Sequence, residues 1–319
     1  MTKHTKGLLA AGALAVGAGI GAAVHGYLDV MYRETIPQGI IKRIMNKKND
    51  EDMSDFGKFT AKNCEWVNQQ NIETIDLIND RGFTLKGYLL SAQNKSNVFV
   101  LFAHGYRADH LGDPINFEKY YHEKGFNFMS VDHTAAGKSE GDFVGFDYYE
   151  SRDMLRWIDY LVSRFGTNIK IILHGVSMGG ATVCKMADSV PEQVKIIISD
   201  CAYTSALEQF DETVKSVGIS KTNGLLKIFN KINKLFAGYD LEETNVRPSV
   251  IGAKAPMLFV HGGADDFVPT KMVYDLYKLC PAEKDLLIVE NAGHAQSIMT
   301  GTKKYQAKLD EFIEKHLED

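Results

Sequence analysis

The chain has 319 residues, of which 45% are apolar and 24% charged, with 36 Lys plus Arg against 41 Asp plus Glu for a formal net charge of −5. That balance belongs to a packed globular protein and excludes a disordered chain, a collagen-like repeat or a polytopic membrane protein. It also argues against a nucleic-acid binder, because phosphate neutralisation needs clustered Lys and Arg, and here the basic clusters, such as Lys42-Arg43 and Lys47-Lys48, are short.

The first element is an uncharged run from Gly7 to Val24, preceded by Lys3 and Lys6. At 18 residues it exceeds the usual apolar stretch of a cleaved signal peptide and is just long enough to span a bilayer. Positive charge ahead of it keeps the N-terminus inside, so 1–26 is expected to be an anchor with the rest of the chain outside the cytoplasm. With seven Ala and five Gly the run is weakly hydrophobic, and Ala13-Leu14-Ala15 or Gly21-Ala22-Ala23 would serve as cleavage sites if it were removed as a signal. Gly17 and Gly21 form a GxxxG pair, a cheap match in so glycine-rich a stretch. Residues 27–70 are polar and mixed, a connector expected to be helical in part and to pack on the domain beyond it.

From 71 to 319 the pattern is that of one domain. Ile72–Ile78 and Thr84–Leu90 alternate as half-buried strands around the turn Asn79-Asp80-Arg81-Gly82. Val98–Phe102, Phe126–Val131, Ile169–Leu173, Val194–Ser199, Met257–Val260 and Leu286–Val289 are continuous apolar runs, the mark of strands covered on both faces. Segments of helical period lie between them, such as Tyr148–Arg164 with Met154, Leu155, Ile158, Leu161 and Val162 on one side. Strands alternating with helices predict an α/β fold with a mostly parallel sheet flanked by helices. In such a sheet ligands bind at the carboxyl ends of the strands, so the residues following each apolar run carry the chemistry. The cysteines at 64, 184, 201 and 280 are widely spaced and form no CxxC pair, which fits small buried side chains better than a zinc or redox site.

After Ile171-Ile172-Leu173 comes His174-Gly175-Val176-Ser177-Met178-Gly179-Gly180 and then a helix-like stretch, a GxSxG turn between strand and helix. A serine on such a corner projects its oxygen from the sheet, and the flanking glycines avoid a collision across the turn. A serine hydroxyl needs a base to become a nucleophile. His104, His174 and His261 each precede a glycine at a strand end, where backbone geometry is their simpler role. His294, in Asn291-Ala292-Gly293-His294 after the last strand, is the candidate base. The acid that orients it is expected between serine and histidine in chain order, in HGGADDFVP; Asp265 is the choice, with Asp266 and Asp200 as fallbacks. A developing oxyanion needs two donors, expected from the amides of Met178 and Tyr106, with Arg107 the second choice for the latter. No HExxH or tight His/Cys cluster suggests a metal.

Together HGYR, GVSMGG, HGGADDFVP and NAGH, in that order, resemble the α/β-hydrolase superfamily over 71–319. More narrowly the chain is similar to bacterial cell-surface serine hydrolases, esterase-like or S33-peptidase-like, that carry an N-terminal membrane or export segment. Where those relatives usually carry Arg-Gly-His before Gly-Lys-Ser, Val131–Gly141 reads VDHTAAGKSEG. The resemblance implies an eight-stranded sheet, no cofactor, and Ser177, Asp265 and His294 as the triad. Helical stripes between Cys201 and Ala255 (Leu207, Phe210, Val214 and Val217, then Leu225, Ile228, Phe229, Ile232 and Leu235) predict a small cap at about 203–255, the alternative being that they simply pack on the sheet. The expected activity is hydrolysis of a carboxylic ester in a small or medium substrate. An aminopeptidase or acyltransferase on the same triad, acting for example on a short peptide, is the alternative. A non-catalytic, membrane-tethered binding protein on the same fold is the reading from another class.

Overall fold

The structure is a computed structural model that describes residues 24–33, 53–220 and 222–317. Its centre is one eight-stranded sheet in the order β1-β2-β4-β3-β5-β6-β7-β8. The strands are β1 (Glu73–Ile78), β2 (Thr84–Leu90), β3 (Val98–Ala103), β4 (Asn127–Asp132), β5 (Lys170–Val176), β6 (Val194–Asp200), β7 (Met257–Gly262) and β8 (Lys284–Val289). β1 and β2 form an antiparallel hairpin and β2 joins β4 antiparallel, whereas every pairing from β4 to β8 is parallel. The expected mostly parallel α/β sheet is thus the observed one.

The continuous apolar runs are explained by burial on two sides. Along β3, Phe99, Leu101 and Ala103 join one core cluster while Val100 and Phe102 join the other. The first face is covered by the helix Glu150–Phe165, which buries Trp157, Ile158 and Leu161. The second is covered by the helix Thr302–Leu317 through Tyr305, Leu309 and Phe312. A strand buried on both faces loses the polar alternation of β1, whose outward positions stay exposed.

Within 203–255 lie the helices Ala206–Ser216 and Asn223–Phe236, a 3-10 turn Leu241–Thr244 and the short helix Arg247–Ile251. The two predicted stripes divide. Leu207, Phe210, Phe229 and Ile232 pack against the core, while Val217, Leu225, Ile228 and Leu235 are exposed. The division follows from geometry: each helix turns one flank toward the core, and its stripe is wider than the contact it makes.

Part of the predicted connector is ordered against the domain. Residues 24–31 are helical, and Tyr27 and Met31 are fully buried. Farther along, the helix Met53–Val67 meets the helix Ile115–Glu123, where Asn63 Nδ2 donates to Asn116 Oδ1 at 3.1 Å and Trp66 lies 5.6 Å from His122. The predicted anchor lies outside the described residues but for its last few positions, Val24 to Gly26; among the described residues no helix is long and apolar enough to cross a membrane.

Candidate active site

β5 ends at Val176, and the helix Met178–Lys185 begins two residues later, so Ser177 occupies the corner alone. Its φ of 57° and ψ of −117° put a side-chain-bearing residue in a left-handed conformation. Packing enforces that conformation. A Cβ on Gly179 would come within 2.0 Å of the Ala103 carbonyl oxygen, and one on Gly175 within 2.1 Å of the Gly179 oxygen. The turn therefore presses against the end of β3 at a distance that only glycine permits. The Ser177 amide donates to the Asp200 carbonyl at 2.8 Å, tying the corner to β6 as well.

His294 follows β8 and Asp265 follows β7, at the same carboxyl edge of the sheet. The structure brings these two and Ser177 into contact. Ser177 Oγ is 2.8 Å from His294 Nε2, and His294 Nδ1 is 2.8 Å from Asp265 Oδ2. The geometry suits an imidazole whose Nδ1–H donates to the carboxylate and whose Nε2 accepts from the hydroxyl. Asp265 is fixed from its other side, because Oδ1 accepts the amides of Phe267 at 3.0 Å and Val268 at 2.8 Å. Burial alone would raise its pKa. The neighbouring His294 and the hydrogen bonds from His261 and His294 outweigh that and hold the carboxyl well below the usual range. For His294, burial opposes the charged ring, but Asp265, with Asp113 and Asp200 behind it, lifts the pKa above its ordinary value.

The two fallback acids stand elsewhere. Asp266 is exposed. Asp200 is buried beneath the triad, where Oδ2 accepts from Tyr305 Oη at 3.0 Å, and burial pushes its carboxyl up to about 6. His261, read from sequence as a backbone residue, has a second role: its Nε2 lies 3.2 Å from Asp265 Oδ2 and 2.9 Å from the Val268 carbonyl. A His and an Asp four apart at the end of a strand was the signal in the sequence. Cys201 also lies beside Asp265 and His294, with one ligand-type atom of each within 4.8 Å of the others. Burial raises the Cys201 thiol well above its ordinary value, which disfavours the thiolate a metal would require.

The residues expected to hold the oxyanion frame the corner. Gly105's amide donates to Asp113 Oδ2 at 2.7 Å, and the place a side chain on Gly105 would take is 3.4 Å from Ser177 Cβ. Tyr106 is the next residue of that loop, and Met178 the first of the helix behind the serine, where no carbonyl one turn back can accept its amide. Tyr106 is held by its side chain: Oη donates to the Val30 carbonyl at 2.5 Å, and the Arg107 guanidinium donates to the Asp29 carbonyl. The segment 24–33 is thus bound to this loop. Tyr106 also stacks toward Phe146 (5.2 Å), which meets Phe210 (4.9 Å) of the helix Ala206–Ser216. The same helix reaches the acid loop, where Gln209 Nε2 donates to the Phe267 carbonyl at 2.8 Å and the Phe267 ring lies 4.9 Å from His294.

Comparison with known proteins agrees with this architecture. Residues 94–234 match the family described as serine aminopeptidase, S33. The uncharacterized protein YqkD of Bacillus subtilis is 26% identical over 278 residues, covering 85% of this chain and 88% of that protein. The Pyrococcus furiosus esterase Pf2001 superposes with a TM-score of 0.60 at 19% identity, over 77% of this chain and 91% of its own. Est1E from Butyrivibrio proteoclasticus, solved with ferulic acid bound, gives a TM-score of 0.60 at 17% identity, over 77% of this chain and all of its own (100%). The fold is that of the α/β hydrolases, and these similarities support a hydrolase.

Proposed function

We propose that the protein is a serine hydrolase that cleaves a carboxylic ester of a small or medium substrate through an acyl-enzyme. The observation that carries this reading is the continuous Ser177–His294–Asp265 contact at the strained corner after β5, with 2.8 Å at each link. Ser177 Oγ attacks the carbonyl carbon as its proton passes to His294 Nε2. The oxyanion is received by the amides of Met178 and Tyr106, each contributing about 3 kcal/mol. His294 returns the proton to the departing alcohol. A water molecule, deprotonated by the same nitrogen, then attacks the acyl-enzyme and releases the acid and Ser177. Asp265 stays ionised throughout, and no step calls for a metal or cofactor.

In Ser177→Ala, labelling by a fluorophosphonate probe and hydrolysis of 4-nitrophenyl esters are both expected to disappear. Labelling at the wild-type level in that variant sinks the assignment. The S33 match favours a second reading, an aminopeptidase on the same triad. Peptide 4-nitroanilides run beside 4-nitrophenyl esters separate the two. Absence of turnover on either panel would favour a tethered binding protein. The run Gly7–Val24 supports a location at the membrane with the domain outside the cytoplasm, and N-terminal sequencing of the membrane fraction tests whether the run is retained.

A further inference from the structure

Beside the corner, on the side of the Tyr106 loop, is a cavity of about 240 Å³. Its wall includes His104 and Arg107 from that loop, Met178 from the helix behind the serine, His133 after β4, and Arg33 from the N-terminal segment. It thus borders both elements assigned to the oxyanion, the loop through His104 and Arg107 and the helix through Met178.

The wall is polar and incompletely satisfied. His133 is only 1% exposed, yet neither ring nitrogen has a hydrogen-bond partner. Its ring lies 4.4 Å from His104, whose Nε2 accepts the His133 amide at 3.1 Å and whose Nδ1 donates to the Gly105 carbonyl at 2.7 Å. Arg107 Nε is likewise buried without a partner. The Arg107 guanidinium meets a backbone carbonyl and the Tyr106 ring, but no carboxylate among the described residues. Arg33 reaches two carbonyls, those of Gly137 and Ser139. The one acidic side chain in the wall is Asp109, whose Oδ1 is engaged by the Leu111 amide at 2.9 Å. Arg107 thus brings to the wall a guanidinium with a spare donor. Burial holds the His133 pKa well below its ordinary value, so the ring enters the count as a neutral N–H donor. Unfilled buried donors on His133 and Arg107 are a ready recess for a charged acceptor.

We infer that this cavity receives an anionic group of the substrate, a carboxylate or comparable oxyanion a few bonds from the scissile carbonyl, with Arg107 and His133 as its donors. The inference rests on the serine-hydrolase reading and narrows its substrate class. The anion sits on either the acyl or the alcohol portion, and two substrate pairs separate these. 4-Nitrophenyl hemiglutarate against 4-nitrophenyl butyrate places it on the acyl side, and 4-acetoxybenzoate against phenyl acetate on the alcohol side.

In the full-length protein the anionic member of one pair is expected to have at least a tenfold higher kcat/KM than its neutral partner. Arg107→Gln and His133→Leu should each cut that preference fivefold or more, mainly through KM, and His133→Leu should leave the neutral ester within about twofold of wild type. His133→Leu removes no side-chain hydrogen bond within the protein, so its thermal midpoint should stay within a few degrees of wild type. It keeps the test valid if Arg107→Gln weakens the docking of 24–33. Preference for the neutral ester in both pairs, or equal losses on anionic and neutral esters in His133→Leu, overturns the inference. If fluorophosphonate still labels Ser177 under those results, the substrate assignment alone fails. If labelling is absent as well, the serine-hydrolase reading fails and this inference with it.

Discussion

At the residue scale, the site depends on two kinds of constraint, charge and contact distance. Asp265 and His294 set each other's ionisation, and the consequence for pH is definite. A base must be neutral to accept the serine proton, and the His294 pKa lies above its ordinary value. Activity should therefore fall on the acid side, with the fall centred above the 6.5 or so of a free histidine. Asp265→Asn should lower kcat by roughly 10⁴-fold, the scale known for such a change in a serine triad. It should also move that limb to lower pH, because the charge that lifts the histidine is gone; a profile of kcat/KM against pH reads both. Contact distance governs Gly179. With Ala103's oxygen 2.0 Å from the place of a Cβ, Gly179→Ala must displace backbone, so a loss of about 3 kcal/mol in urea unfolding is expected, together with loss of activity. Ser177, His294 and Asp265 could be read from sequence because each follows a strand, and the strand ends define one edge. His261 escaped that reading. A His-Gly pair at a strand end has a sufficient backbone explanation, and its contact with Asp265 appears only once the loop folds back.

At the element scale, the eight strands matched their apolar runs closely at their starts, while several ran on past the last apolar residue. β5 continues through His174, Gly175 and Val176, and β7 through His261 and Gly262. Pairing with neighbours persists there after hydrophobicity has ceased to signal it. The helical stripes of 203–255 showed where helices form, but not which flank would be covered. Least legible was the segment 24–33, where nothing in the local pattern announced that it binds the Tyr106 loop. Its side chains Tyr27, Val30 and Met31 are buried, each worth about 1.5–3 kcal/mol of transfer free energy. Comparison of a protein starting at residue 53 with the full-length one should show a lower thermal midpoint. It should also show kcat/KM reduced by roughly tenfold to a hundredfold, since the loop proposed to supply one oxyanion donor would lose its anchor. Unchanged activity would mean that the loop holds its shape without help.

At the scale of the whole molecule, the interior contains acids and bases whose ionisation opposes folding. Burial pushes Glu118 up to about 8 and Glu150 up to about 7, whereas in an unfolded chain both titrate near 4.3. Their folded forms retain protons that the unfolded chain has released, so stability falls as pH rises from about 4.5 to 8. His174 acts in the opposite sense. Burial lowers it to about 3, so it costs stability as pH falls below about 6.5 and nothing above. Above pH 6.5 the raised carboxyl groups set the trend, and the raised His294 pKa works in the same direction. The thermal midpoint should therefore drop between pH 6.5 and 8.5, and Glu118→Gln should flatten the drop. A midpoint that rises over this interval refutes the account. The docking of 24–33 also bears on how the protein is handled. Two main-chain carbonyls of that stretch grip the loop beside Ser177, so a trimmed version should be cut upstream of Val24, and an affinity tag should not be joined directly to Arg33.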